Sequence, residues 1–71
     1  MAVSYKKLWK LLIDKEMNKS DLERRAGITH YSLRLLTKGK DVSTDVLRRI
    51  CETLDCTIDD IMEFTPNEEN R

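Results

Sequence analysis

Residues 18–40 have the sequence NKSDLERRAGITHYSLRLLTKGK, which predicts two short helices joined by a tight turn. Asn18 is suited to cap the first helix, and Asp21 three residues later completes a capping-box-like pair. Gly27 ends that helix, because glycine readily enters the left-handed backbone region that a tight reversal needs. Thr29 caps the second helix, on which two leucines face inward, Leu33 and Leu36. This spacing is that of a helix-turn-helix, a scaffold whose second helix can enter the DNA major groove.

The composition of the chain suits one small helical domain. Its 71 residues are enough for a single core, and 37% of them are charged against 39% hydrophobic, as in a soluble helical bundle. No segment alternates apolar and polar residues as a half-buried strand would. We therefore expect an all-α fold without a sheet.

Three further helices bring the expected number to five. The first covers residues 5–15, and the fourth covers residues 44–54 with Ser43 as its cap. A short fifth helix begins after Thr57, whose capping box is completed by Asp60. We expect residues 1–64 to form the helix-turn-helix domain and residues 65–71 to form a polar tail.

The charges are divided unevenly along the chain, although the net charge is zero. Residues 1–40 hold ten Lys and Arg against four acids, a net of +6, and residues 41–71 have a net of −6. A polyanion responds to the local field at its contact surface, so the basic half suits DNA. A solvated surface with chance asymmetry is the alternative explanation.

The same stretch resembles the Cro/cI-type helix-turn-helix repressors, also called the XRE family. The resemblance rests on the Asn18-Lys19 start, the Ala26-Gly27-Ile28-Thr29 turn and the Lys38-Gly39 exit, and it covers residues 5–62. The resemblance implies a compact five-helix domain that binds double-stranded DNA and regulates transcription, most simply as a repressor. A homodimer would then read two half-sites on one face of the DNA.

The base-reading residues that the resemblance implies lie on and before the helix after the turn: Thr29, His30, Tyr31, Arg34 and Leu35. Arg34 can present a bidentate fork to guanine, a contact worth about 1–3 kcal/mol of discrimination. His30 can bond a base edge or donate to a phosphate. Tyr31 and Leu35 can pack on a thymine methyl group.

Phosphate contacts would hold the protein in register without reading sequence. Lys19 begins the helix before the turn, where free backbone N–H groups favour an anion, and the family usually has glutamine there. The other phosphate-binding candidates are Ser32, Lys38, Lys40, Ser43 and Thr44, with Lys6 and Lys10 on the first helix.

Each of these side chains has a plainer explanation. Arg34 and Lys38 can be ordinary solvated residues, and Tyr31 can fold back over the turn as partial core. Leu35 departs from the polar residue common at its place. It indicates either modest sequence selectivity or a protein contact.

The first helix has an apolar arc of about 200 degrees, wider than an outer helix of a small bundle needs. The surplus residues are Trp9 and Ile13. They either pack under residues 61–64 or form a dimer interface together with Met62 and Phe64. A partner subunit would help a core of this size.

The chain shows no catalytic or metal-binding pattern. Cys51 and Cys56 form a C-x4-C pair with one distant histidine, too few ligands for a structural zinc site. We expect Cys51 to be a buried thiol and both cysteines to be reduced. We expect no enzyme activity, cofactor or small-molecule ligand. The apolar run of the first helix is too short to cross a membrane, which makes the cytoplasm the expected location.

Two other functions remain open. A protein-interaction module of the same fold, without DNA binding, is favoured by the zero net charge, the acidic second half and Leu35. A DNA-binding antitoxin, a restriction–modification controller or an excision factor would use the same surface as a repressor.

Overall fold

The computed structural model describes residues 1–66 of the chain. Four α-helices carry most of the fold: α1 (Lys6–Asp14), α2 (Lys19–Ala26), α3 (His30–Thr37) and α4 (Thr44–Leu54). Two short strands, β1 (Ala2–Ser4) and β2 (Glu63–Thr65), flank them, and a 3-10 turn at Ile58–Asp60 precedes β2. None of the helices in residues 1–66 has the length and apolar character needed to cross a bilayer.

The predicted helix-turn-helix is confirmed in its local geometry. Asn18 accepts a 2.8 Å hydrogen bond from the Asp21 backbone N–H, and the Asp21 carboxylate accepts one of 3.2 Å from the Asn18 backbone N–H. Gly27 ends α2 with a φ of +68°. The Thr29 hydroxyl accepts a 3.0 Å hydrogen bond from the backbone N–H of Ser32 at the start of α3. These bonds satisfy backbone donors that a helix N-terminus leaves free.

The core lies where the inward faces of the four helices meet. Five of its side chains are fully buried: Leu8, Leu22, Leu36, Ile50 and Ile61. α4 has the predicted bounds, and the Ser43 hydroxyl accepts a 3.2 Å hydrogen bond from the Val46 backbone N–H. Because α2 packs closely against α4, the orientation of the helix-turn-helix is set by the helix that follows it.

The prediction of five helices is not confirmed. The expected fifth helix is a single 3-10 turn of three residues, although its capping box forms, with the Asp60 carboxylate accepting a 3.0 Å hydrogen bond from the Thr57 backbone N–H. One turn leaves its carbonyl groups without the next turn to bond. The chain instead reverses at Ile61 and enters β2.

The exclusion of a sheet was wrong. β1 and β2 pair antiparallel, with Ala2 opposite Thr65, Val3 opposite Phe64 and Ser4 opposite Glu63. Strands of three residues are too short to show an alternating pattern, and their pairing joins the two ends of the domain. Thr65, which was predicted to begin the tail, belongs to this sheet, and tail residues 67–71 lie outside the described residues.

Candidate nucleic-acid interface

The outer face of α3 is open to solvent. Leu33 and Leu36 are buried and fix the helix to the core, whereas His30, Tyr31 and Arg34 are exposed. Tyr31 keeps 67% of its surface exposed, so it does not fold back into the core. Leu35, by contrast, is half-buried, which leaves less of it available for any contact.

The N-terminal end of α3 is held by its own hydroxyl groups. Thr29 accepts the backbone N–H of Ser32 at 3.0 Å and donates its hydroxyl proton to Ser32 Oγ at 3.1 Å. Both predicted contact residues are therefore partly engaged within the protein. Each can still accept a further hydrogen bond, since a hydroxyl oxygen has two lone pairs.

His30 faces a carboxylate from the preceding helix. Its Nδ1 lies 3.3 Å from Glu23 Oε1, across the turn between α2 and α3. The contact occupies one ring nitrogen and leaves Nε2 for an external partner. Sequence reasoning missed this pair, because the angle between two helices decides which residues seven apart can meet.

Lys19 contacts side chains from two other helices. Its Nζ lies 4.4 Å from the centroid of the Trp9 ring on α1. The same Nζ donates a 3.4 Å hydrogen bond to Thr37 Oγ1, at the last residue of α3. The apolar pattern of α1 indicates only that Trp9 is surplus apolar surface. Neither contact of Lys19 can be read from spacing along the chain.

The loop after α3 is tied to the start of α1. The buried Tyr5 ring donates its hydroxyl to the backbone carbonyl of Lys40, and Gly39 in the same loop has a φ of +72°. Burial raises the pKa of Tyr5 above its usual value, and the negative charge of Asp41 adds to the rise. Lys38 and Lys40 remain exposed on this loop, with Ser43 and Thr44 following at the start of α4.

The two candidate lysines of α1 lie in different surroundings. Lys6 lines a groove of about 660 Å³ together with Trp9 and Lys38. Lys10 instead lines a shallow cavity with Asp14 and Asp59. The structure therefore places Lys6 in the same groove as Lys38 and places Lys10 beside carboxylates.

The arginines of α4 are engaged with acids of their own helix. Arg49 Nε lies 2.9 Å from Asp45 Oδ2, and Arg48 bonds both Asp45 and Glu52. Hydrogen bonds from Arg49 and Arg48 lower the pKa of Asp45. Positive charge that remains available to an anion therefore comes mainly from residues 1–40.

The four candidate dimer residues differ in their exposure. Trp9 and Met62 are half-buried against the core, whereas Ile13 is 73% exposed and Phe64 is 65% exposed. Ile13 and Phe64 are thus the two whose surface is mostly free.

Cys51 and Cys56 are not paired with each other, and both are half-buried, whereas a buried thiol was expected at Cys51. Burial raises the pKa of the Cys56 thiol to about 11, and the neighbouring Cys51 adds to the rise. Within residues 1–66, no group of three His, Cys, Asp or Glu side chains is arranged to hold a metal ion.

Comparison with known proteins identifies the domain. A family profile described as the Cro/C1-type HTH DNA-binding domain matches residues 7–67. A crystal structure of the transcriptional regulator VanUg superposes with a TM-score of 0.90 at 45% sequence identity, covering 93% of this chain and 88% of that one. A search of curated proteins gave no significant match. The chain belongs to the Cro/C1-type helix-turn-helix DNA-binding domains, which makes it a DNA-binding domain and not an enzyme.

Proposed function

We propose that this protein is a transcriptional regulator that recognises a specific double-stranded DNA sequence by inserting α3 into the major groove. The observation that carries the proposal is the free outer face of α3, where His30, Tyr31 and Arg34 are exposed while Leu33 and Leu36 anchor the helix. Similarity to VanUg, a transcriptional regulator, supports the regulatory role.

Base reading is assigned to Thr29, His30, Tyr31, Arg34 and Leu35. Arg34 is exposed and can present two N–H groups to the O6 and N7 acceptors of guanine. Tyr31 can pack its ring on a thymine methyl group, and His30 can use Nε2 on a base edge. Leu35 should contribute less to base reading than the exposed residues, because its side chain is half-buried.

Phosphate binding is assigned to residues around α3. Lys19 begins α2, where the helix N-terminus already favours an anion. Lys6 and Lys38 line the groove at the C-terminal end of α3, where Lys19 Nζ also contacts Thr37, and Lys40 follows two residues after Lys38. The polar contacts that complete this set come from Ser32, Ser43 and Thr44. Lys10 is the weakest candidate, because carboxylates share its surroundings.

We propose repression as the direction of regulation, since a domain that occupies the major groove of a promoter excludes other proteins from the same sequence. A regulator acts where the DNA is, so we expect it in the cytoplasm. Antitoxins, restriction–modification controllers and excision factors would use the same surface. The genes next to the selected binding sites would distinguish these roles.

A homodimer is the second part of the proposal. Its interface would use the exposed Ile13 and Phe64. Two subunits would read half-sites about 34–36 Å apart along the DNA. Sedimentation that shows only monomer at high micromolar protein concentration, without DNA, would remove the dimer from the proposal.

Selection of bound sequences from a random duplex pool tests the function directly. We expect one enriched motif, and a palindrome if the protein binds as a dimer. Affinity for the selected duplex should fall steeply as salt rises, because each neutralised phosphate releases counterions. Failure to enrich any sequence would overturn sequence-specific binding, and binding insensitive to salt would favour the protein-interaction module.

A further inference from the structure

The ammonium group of Lys19 is held at two points by the protein itself. The Trp9 ring centroid lies 4.4 Å from Nζ, and Thr37 Oγ1 accepts a hydrogen bond from the same atom at 3.4 Å. Trp9 belongs to α1, Lys19 to α2 and Thr37 to α3, so three helices meet at this cation. We call these residues the Lys19 clamp.

The clamp leaves the charge of Lys19 available. None of the ion pairs within residues 1–66 involves Lys19, so no carboxylate of these residues is in direct contact with its ammonium group. An ammonium group has three donors, and Thr37 uses one of them. An indole ring attracts a cation through the negative face of its π-system without removing its charge.

The clamp lies at one edge of α3. Lys19 is the first residue of α2, where backbone N–H groups and the helix dipole also favour an anion. Thr37 is the last residue of α3, and Trp9 lines the same groove as Lys6 and Lys38. A phosphate beside the C-terminal end of α3 would therefore meet several positive groups at once.

We propose that Trp9 is a positioning residue for DNA binding, which holds the Lys19 ammonium against Thr37 so that it contacts a phosphate flanking α3. This inference rests on the proposed function of the domain. The physical reason is entropy: a free lysine side chain loses many rotamers when it binds a phosphate, and one that is already held loses fewer. Trp9 thus increases affinity without itself adding charge.

A double-mutant cycle measured on DNA affinity tests the positioning role. The variants are Trp9→Leu, Lys19→Met and the double variant, titrated with a labelled random-sequence duplex at several salt concentrations. We expect Trp9→Leu to weaken binding about two- to fivefold, the range of an exposed cation–π contact, with the salt dependence unchanged. Lys19→Met should make the slope of log affinity against log salt less negative by about 0.9, because one phosphate contact is lost.

The double variant gives the decisive comparison. If Trp9 acts through Lys19, the double variant binds as Lys19→Met does, because nothing remains to position. A purely structural role of Trp9 would weaken binding by the same factor in both backgrounds, and that result would overturn the inference. Should Trp9→Leu fail to fold, Trp9→Phe alone and with Lys19→Met gives the same comparison, since phenylalanine is a weaker cation–π partner.

Lys7→Met is the matched control. Lys7 is an exposed lysine of α1 whose Nζ lies 3.8 Å from Glu63 Oε1 and donates a 3.1 Å hydrogen bond to the carbonyl oxygen of Asp59. Its removal should leave the salt slope unchanged. An unchanged slope in Lys19→Met would overturn the inference while leaving DNA binding intact, whereas absence of binding by the wild-type chain at low salt would overturn the proposed function as well.

Discussion

Tyr5 Oη donates a hydrogen bond of 2.9 Å to the carbonyl oxygen of Lys40, 35 residues further along the chain. The bond joins the residue before α1 to the loop that follows α3. That loop carries Lys38 and Lys40, two of the proposed phosphate-binding residues. A core side chain therefore fixes the backbone from which these two lysines extend.

Tyr5→Phe should lower the free energy of unfolding by about 1 kcal/mol, the usual worth of one hydrogen bond. The ring remains in the core, so the loss comes from the hydroxyl alone. Urea unfolding of the two proteins measures the difference. Tyr31→Phe is the control, because Tyr31 is 67% exposed and its hydroxyl should contribute little to stability. Equal effects at both positions would show that the bond to Lys40 is not what matters.

The raised pKa of Tyr5 predicts a loss of stability at high pH. Burial, with a contribution from Asp41, favours the neutral phenol in the folded state. The stability that the neutral Tyr5 phenol contributes is therefore fully present below the unfolded pKa of about 10. It is lost as the pH rises through the higher folded pKa. Between neutral and strongly alkaline pH, the free energy of unfolding should fall less steeply with pH in Tyr5→Phe than in wild type. Parallel curves would contradict the prediction.

The parts of this fold that are local in sequence could be predicted, and the parts that join distant segments could not. Asn18, Gly27 and Thr29 act within one turn of their own helices, so residue type and spacing were sufficient. The sheet depends on Ala2 meeting Thr65, for which three-residue strands carry no periodic signal. The same holds within the candidate site.

The exposed side of α3 follows from helical periodicity, because burying Leu33 and Leu36 turns Arg34 outward. The contacts of His30 with Glu23 and of Lys19 with Trp9 depend on the angles between helices. Those angles are set by packing of the whole core, which spacing along one helix does not contain.

Gly27→Ala should destabilise the domain by about 1 kcal/mol, because a residue with a Cβ is strained at the left-handed φ of +68°. The space around the position is adequate, since an added Cβ would lie 3.4 Å from the flexible end of Arg49. Strain and not collision is therefore the expected cause. Thermal unfolding of Gly27→Asn separates the two, because asparagine tolerates this backbone region better than alanine although it is larger. A larger loss for asparagine would point to collision.

The capping box of α2 predicts a loss of stability in acid. The Asp21 carboxylate accepts hydrogen bonds from the Asn18 backbone N–H and from the Arg24 guanidinium. These bonds lower the pKa of Asp21, and the bond from Asn18 has the larger effect. The contribution of its carboxylate is present above the unfolded pKa of about 3.9 and is lost as the pH falls through the lower folded value. Asp21→Asn should be less stable than wild type near neutral pH, and the difference should shrink in acid. A difference that stays constant from neutral to acid pH would show that the charge of Asp21 plays no part.

Arg34→Ala should reduce the preference for the selected sequence over random DNA. The difference in binding free energy between the two duplexes should shrink by about 1–3 kcal/mol if Arg34 makes a bidentate contact with guanine. Random-sequence affinity should fall much less, because the phosphate-binding residues remain in place. Competition binding with the selected and the random duplex measures both quantities on the same protein.

Arg48→Ala is the matched control for this prediction. Arg48 is also an exposed helical arginine, but its guanidinium bonds Asp45 and Glu52 on α4 and lies outside the proposed reading face. Its removal should leave the preference for the selected duplex unchanged. If Arg34→Ala and Arg48→Ala lowered the affinities for both duplexes by the same factor, Arg34 would be acting through overall charge. Base reading would then have to be assigned to the other exposed residues of α3, His30 and Tyr31.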